Sequence, residues 1–297
     1  MKILLLGGSG MLGHKLWQVF ASRFDTCVTL RRGFDSYNRY RLFDPVRTVD
    51  NVSVEDFGSI VRAVNTVRPA VIVNCIGIVK QAEAGKDPLA SIEVNALFPH
   101  KLARLCMGEG IRLIHISTDC VFSGQKGNYK EDDLSDAEDL YGRTKFLGEV
   151  SYEGCLTIRT SMIGRELETS YGLIEWLLSQ EGKTIQGYAR AIFSGFTTNA
   201  LAEIISRIIT QHPKMHGVWH VASEPISKFE LLSLVKQIYR LNVQIEREGS
   251  VVIDRSLNAD RFRRATGFVP PSWPDMIQQM YQDPTPYSEL RRHNAHR

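Results

Sequence analysis

The chain opens MKILLLGGSGMLGHKLW, and the glycines at 7, 8, 10 and 13 constrain its fold more than any other stretch. Lys2–Leu6 reads as a short β-strand and Met11–Phe24 as a helix, so the backbone must reverse from strand to helix within a few residues. Gly7-Gly8-Ser9-Gly10-Met11-Leu12-Gly13 has the spacing G-x-x-G-x-x-G. Such a turn needs backbone freedom at the reversal, no Cβ where an anionic group approaches, and close packing of helix on strand. The N–H groups at the helix N-terminus then suit a pyrophosphate. On this reading Gly7, Gly10, Met11, Leu12 and Gly13 form a phosphate-binding turn. A plain glycine turn in an α/β protein is the alternative.

Strand and helix patterns alternate through the first half. Cys27–Leu30, Ala70–Asn74, Arg112–Ser117 and Leu156–Ser161 read as strands, and Val54–Val67, Leu89–Gly108 and Tyr141–Ser151 as helices. Ser53 is the expected N-cap of Val54–Val67, and Pro99 an expected kink in Leu89–Gly108. Apolar strands alternating with helices imply an α/β Rossmann fold, a doubly wound parallel sheet with right-handed crossovers. Beyond residue 164 the pattern loosens into helices at Tyr171–Gln180, Thr198–Gln211, Lys228–Tyr239 and Asp275–Gln282, between glycine- and proline-marked turns. Residues 1–164 are read as a dinucleotide-binding domain, its sheet completed by parts of 193–222. Residues 165–192 and 223–297 are read as a smaller C-terminal substrate-binding lobe.

Composition narrows the function classes. The net charge of +3 is too mild to argue for nucleic acid as a partner. No apolar run approaches the roughly 20 residues of a membrane span, and the N-terminus lacks a signal peptide's apolar stretch and cleavage site. The cysteines, at 27, 75, 106, 120 and 155, are odd in number and include no Cys-x-x-Cys. That argues against a disulfide framework or a metal site and fits a reducing cytoplasm. The cluster Arg291, Arg292 and Arg297 reads as a frayed, solvated tail.

The end of the second strand bears on the ligand. An NAD site offers Asp or Glu about 20 residues beyond the glycines, to bond the ribose 2′-hydroxyl. Here Cys27-Val28-Thr29-Leu30 is followed by Arg31-Arg32. Two guanidiniums suit a 2′-phosphate, so NADP(H) is expected over NAD(H); a solvated basic turn is the other reading. Tyr141 and Lys145 lie four apart, on one face of a helix. An ammonium beside the phenol would lower a pKa otherwise near 10. Thr118 ends a strand, where ligands bind in open α/β sheets. Tyr-x-x-x-Lys alone also describes an ordinary surface pair.

The order G-x-x-G-x-x-G, Asn74-x-x-Gly77, Ser117-Thr118-Asp119, Tyr141-x-x-x-Lys145 resembles the extended short-chain dehydrogenase/reductases. More narrowly, Ser-Thr-Asp-x-Val-Phe-x-Gly, Tyr-Gly-Arg-Thr-Lys and Arg159-Thr160-Ser161 resemble the dTDP-4-dehydrorhamnose reductase family, strongly over residues 1–165 and less beyond. The resemblance implies an NADP(H) domain and a lobe holding a nucleotide-diphosphate sugar. It makes Thr118, Tyr141 and Lys145 catalytic: NADPH reduces the C4 keto group of a 4-keto-6-deoxy sugar, and Tyr141 supplies the proton. It adds Asn74, Cys75 and Gly77 to the cofactor contacts, sets Asp50 near adenine, and places Asn95 where the family carries Asn. Lys80, Ser117, Asp119, Cys120, Met162, Arg190 and Arg255 are the expected substrate contacts, either arginine suiting a bidentate clamp on the diphosphate; Lys80 reads equally as a solvated loop residue, and each arginine as a surface one. A homodimer is compatible with it.

Departures from the family open further readings. Thr118 is followed by Asp119-Cys120, not by the Asp-Glu of related 4,6-dehydratases, which argues against dehydration. Cys120 replaces a Tyr and matches a Cys that GDP-fucose synthase relatives use as an acid–base in epimerisation; a small apolar filler is the other reading. Met162 replaces an aromatic, so sugar packing must differ. Besides the reductase, the alternatives are a bifunctional epimerase/reductase using Cys120 and a non-catalytic NADP-binding regulatory subunit, as in methionine adenosyltransferase. His115, Trp17, Trp176, Trp219 and Trp273 are expected in the core.

Overall fold

The structure, a computed structural model, describes residues 1–292. In chain order its strands are β1 (Lys2–Leu6), β2 (Asp25–Thr29), β3 (Thr48–Val49), β4 (Val71–Asn74), β5 (Arg112–Thr118), β6 (Cys155–Thr160), β7 (Met162–Ile163), β8 (Thr184–Phe193), β9 (Phe196–Thr197), β10 (Gly217–His220), β11 (Ile226–Ser227) and β12 (Gln244–Asp254). The helices are α1 (Met11–Phe20), α2 (Phe57–Val67), α3 (Pro88–Ser91), α4 (Phe98–Gly108), α5 (Leu140–Leu147), α6 (Leu173–Leu178), α7 (Thr198–Gln211), α8 (Lys228–Tyr239), α9 (Asp260–Thr266), α10 (Trp273–Tyr281) and α11 (Tyr287–Arg292).

The main sheet runs β10-β6-β5-β4-β1-β2-β3, with every neighbouring pair parallel. This is the doubly wound α/β fold expected from the sequence. Alternate residues of β1 feed two cores: Ile3 and Leu5 pack with Leu12, Leu16 and Ile205, while Leu4 and Leu6 pack with Ile60, Val64 and Leu102. Burial on both faces explains why the strands read as continuous apolar runs. The strand order reverses at β1, which opens a crevice beyond the carboxyl ends of β1 and β4. Among the described residues no helix is long and apolar enough to cross a membrane.

Several boundaries shift for identifiable reasons. α2 starts at Phe57 after Asp56, not at Val54 after Ser53; the Ser53 Oγ instead accepts from the Asp56 N–H at 3.3 Å. Leu89–Gly108 divides into α3, a π-helical stretch Ile92–Leu97 and α4. Pro99 has no N–H for the Asn95 carbonyl, so the ladder widens just before it. Arg291 and Arg292 belong to α11 rather than to a frayed tail, and Arg297 lies outside the described residues. Trp17 and Trp273 are buried, but Trp219 is only half-buried and Trp176 is 37% exposed.

The larger omission is a second sheet, β11-β8-β12. Gly187 reads as a turn marker, yet it lies inside β8. A Cβ there would come within 2.8 Å of Ile245 Cγ2 and Phe229 Cδ2, so the glycine serves the close seating of α8 on the strand. Small inward residues, Gly187 and Ala191, blur the alternation that would have announced β8. β12 is mostly exposed and carries no apolar periodicity.

Candidate active site

β5 and α5 bring Thr118, Tyr141 and Lys145 together. β5 ends at Thr118, where the chain turns into a short 3₁₀ segment, Asp119–Val121. Thr118 caps that segment: its Oγ1 accepts from the Cys120 N–H at 3.1 Å and donates to Asp119 Oδ1 at 3.1 Å. Asp139 caps α5 by accepting the Gly142 N–H at 2.9 Å, fixing the turn that carries Tyr141. Lys145, one turn on, is buried and donates its Nζ to the Ile116 carbonyl at 2.8 Å.

Two clefts meet at these residues. The first, about 890 Å³, runs from the glycine turn past the ends of β2 and β4 to Tyr141 and Lys145. The second, about 560 Å³, has Thr118, Asp119 and Cys120 on one side and Phe193, Lys228 and Arg255 on the other. Met11, Ser117, Tyr141 and Met162 line both, so Tyr141 stands at the junction.

In the first cleft the glycines divide their tasks. Gly7 takes φ +81°, and a Cβ on Gly13 would lie 2.1 Å from the Gly7 carbonyl oxygen. These two shape the turn and seat α1 on β1 without lining the cleft. Ser9, Gly10, Met11 and Leu12 line it. No side chain caps the N-terminus of α1, which leaves its first N–H groups for an anion, and the turn fits a pyrophosphate. Cys75 and Gly77 line the same cleft; Asn74 and Asp50 do not. The Asn74 Oδ1 accepts from the Ile76 N–H at 3.0 Å, and Asp50 Oδ2 accepts from the Phe34 N–H at 2.7 Å. Both order the loops that face the cleft from behind. Asn95 does the same from the π-helical stretch, exchanging hydrogen bonds with the Ile78 backbone at 2.9 and 3.0 Å. Arg31 and Arg32 line the cleft, each paired: Arg31 with Glu55 at 3.0 Å, Arg32 with Glu168.

In the second cleft the expected substrate residues fare unequally. Lys80 lies at its edge, 2.9 Å from Asp139. Ser117 lines the cleft, but its hydroxyl donates to Glu149 Oε1 at 2.7 Å, within a buried Glu149–Arg159 ion pair. Arg255 Nε donates to the Phe122 carbonyl at 2.9 Å, and its Nη1 lies 3.9 Å from Cys120 Sγ. Arg190 is a correction: it lies exposed on β8 and lines neither cleft, because the strand's alternation turns Ala191 and Phe193 inward instead. Lys228 was missed. Its ammonium sits 3.6 Å above the Phe193 ring centroid, facing the second cleft. The available signal was its position in the first turn of α8, where the helix dipole disfavours a cation.

Electrostatics correct two expectations. Burial pushes the Tyr141 phenol above its usual value, the Cys120 and Asp119 charges add to this, and the Thr118 hydroxyl acts in the opposite sense. The ammonium expected to lower it is bonded to the Ile116 carbonyl, and burial lowers Lys145 itself to about 8. Burial likewise pushes the Cys120 thiol up to about 12, against the direction an epimerising base requires. Asp119 is raised by burial, with Lys228 and Arg255 opposing. His115 is a fully buried core residue; its Nδ1 lies 3.1 Å from Asn74 Nδ2, and its Nε2 has no partner among the described residues.

The family model of the RmlD substrate binding domain matches residues 1–285. A dTDP-4-dehydrorhamnose reductase of Streptomyces griseus is 33% identical over 147 residues, 49% of this chain. That alignment spans less than half of the relative, 43% of its length. Methionine adenosyltransferase 2 subunit beta of Xenopus laevis is 24% identical over 263 residues, 81% of this chain and 72% of that protein. Among solved structures, dTDP-4-dehydrorhamnose reductase of Bacillus anthracis str. Ames in complex with NADP has the same fold. Its TM-score is 0.77 at 21% identity, over 94% of this chain and 98% of that one.

Proposed function

The chain belongs to the RmlD substrate binding domain family, and from that premise we propose that it is an NADPH-dependent reductase of the C4 keto group of a nucleotide-diphosphate 4-keto-6-deoxy sugar. Deoxysugar and polysaccharide biosynthesis is the setting this implies. One observation carries the reading: Tyr141 stands where the two clefts join, beside Thr118 and Lys145. The first cleft is assigned to the dinucleotide and the second to the sugar. Residues 1–164 with β10 are assigned to the cofactor domain, and 165–192 with 223–292 to the substrate lobe.

NADPH, when bound, supplies the hydride. The chain supplies the proton and the positioning. Tyr141 donates its phenolic proton to the oxygen of the reduced carbonyl. A phenol raised by burial stays protonated across the working pH range, which an acid requires. Thr118 Oγ1 turns from Asp119 to donate to the same oxygen, where negative charge develops. Lys145 holds the nicotinamide ribose. Gly10, Met11 and Leu12 hold the pyrophosphate, and Arg31 and Arg32 the adenosine 2′-phosphate. Arg255 and Lys228 present two cations to the diphosphate end of the sugar nucleotide.

The test is NADPH oxidation measured against dTDP-, UDP-, GDP- and CDP-linked 4-keto-6-deoxy sugars, with product analysis. Oxidation against at least one, giving the C4 alcohol, is expected. A regulatory subunit is the second reading, supported by the similarity to methionine adenosyltransferase 2 subunit beta over 81% of the chain. Copurification with a partner and no oxidation across the panel would favour it.

A further inference from the structure

The arginines beyond the end of β2 already have carboxylate partners, with which a phosphate would compete. Arg32 Nη2 bonds the Glu168 carboxylate, and Arg39 Nη2 lies 3.5 Å from the same oxygen. Glu168 comes from the segment between β7 and α6, across the cleft from β2, and lines that cleft with Arg31, Arg32 and Arg39. Its segment is held in place. Arg165 Nε donates to Glu175 Oε1 at 2.6 Å, the Glu166 N–H to the same oxygen at 3.1 Å, and the Gly172 N–H to Glu166 Oε1 at 3.1 Å. Arg32 also lies 5.2 Å from the Tyr37 ring centroid, so its guanidinium is oriented as well as paired.

We infer that Glu168 sets the discrimination between the two nicotinamide dinucleotides. The inference rests on reading this cleft as the cofactor's, with its adenosine end at Arg31 and Arg32. A Rossmann site selective for NAD(H) carries a carboxylate at the end of its second strand, to accept the ribose 2′-hydroxyl. This chain has none there, and Glu168 brings one to the same place from the opposite wall. To the 2′-hydroxyl of NAD(H) it is an acceptor, and its bond to Arg32 is kept. To the 2′-phosphate of NADP(H) it is a like charge and a competitor for Arg32 and Arg39. Arg31, Arg32 and Arg39 therefore favour NADP(H), Glu168 opposes it, and the native preference for NADP(H) is smaller than the arginines alone would give.

The experiment is fluorescence titration of the whole protein with NADPH and NADH, and with 2′,5′-ADP and 5′-AMP, before and after Glu168→Gln. Removing one charge near the 2′ position is expected to tighten NADPH and 2′,5′-ADP about tenfold. NADH and 5′-AMP should weaken or hold. In the double variant with Arg32→Gln most of the gain for NADPH should vanish, which a general loosening of the segment would not produce. An unchanged NADPH-to-NADH ratio, or equal shifts for both, overturns the role of Glu168. A native protein that binds neither cofactor overturns the dinucleotide reading of the cleft itself.

Discussion

Cys120 separates the competing chemistries at the scale of one residue. Its thiol lies beside Asp119 and is pushed up to about 12 by burial, so almost none is thiolate at neutral pH. A cysteine acting as the base of an epimerisation needs that thiolate. Cys120→Ser is expected to keep turnover within a few-fold of native, and the native product to carry no solvent deuterium at C3 or C5 by mass spectrometry. Deuterium that disappears in the variant would restore the bifunctional reading. Lys145 gives a pH signature. Burial lowers it to about 8, so its positive charge is present below that pH and lost above it. The kcat/KM for reduction should be flat up to about pH 8 and fall beyond, and a rate still climbing at pH 9 would contradict the role given to Lys145.

At the scale of elements, the clefts are held by groups that do not line them. Asn95 ties the π-helical stretch to the Ile78 backbone, and so fixes the loop carrying Cys75 and Gly77. Asn95→Ala should weaken NADPH binding several-fold, measured by titration, with a loss of about 1–3 kcal/mol in urea unfolding from the unpaired backbone groups. The segment after α10 closes over α1. Lys15 Nζ bonds Asp283 Oδ2 at 2.7 Å with the side chains 4% and 7% exposed, and the Tyr287 hydroxyl lies 2.7 Å from His14 Nε2. His14 Nδ1 in turn lies 2.8 Å from the Gly10 carbonyl, within the glycine turn. Asp283→Ala leaves a buried ammonium without its carboxylate and should cost about 3–5 kcal/mol by urea unfolding. A loss below 1 kcal/mol would show that the clasp contributes little.

For the whole molecule, buried histidines make stability depend on pH. Burial lowers His14 to about 4 and His220 to about 3, and holds His115 well below 6.5. Unfolded histidines take up protons near pH 6.5 that the folded protein refuses, so stability is full above that pH and falls as the pH drops toward 4. Urea midpoints should decline from pH 7 to pH 5, with a shallower decline in His14→Gln; equal midpoints would contradict the burial.

Strands β1, β2, β4, β5 and β6 were legible because they are apolar runs largely buried in the sheet and the first turn is dictated by glycines; the half-buried edge strand β3 was not read, and β10 only as part of 193–222. Thr118, Tyr141 and Lys145 were singled out by the resemblance of their motifs to the reductase family, since Tyr-x-x-x-Lys spacing alone also describes a surface pair, and the structure brings the three to one junction. The β8–β12 sheet was not, because Gly187 and Ala191 mask its alternation and β12 is mostly exposed. Arg190 was misplaced with it. Lys228 and Glu168 escaped notice because their partners, Phe193 and Arg32, are distant in sequence and meet them only across the clefts.

The claim that Tyr141 is the proton donor at the junction of two clefts is tested most directly by Tyr141→Phe. Turnover would be followed as NADPH oxidation with the 4-keto sugar nucleotide that the native protein reduces fastest, and NADPH affinity by fluorescence titration. A fall in kcat of about 10²–10⁴ with the NADPH Kd unchanged within about twofold is expected. Turnover within tenfold of native would contradict it.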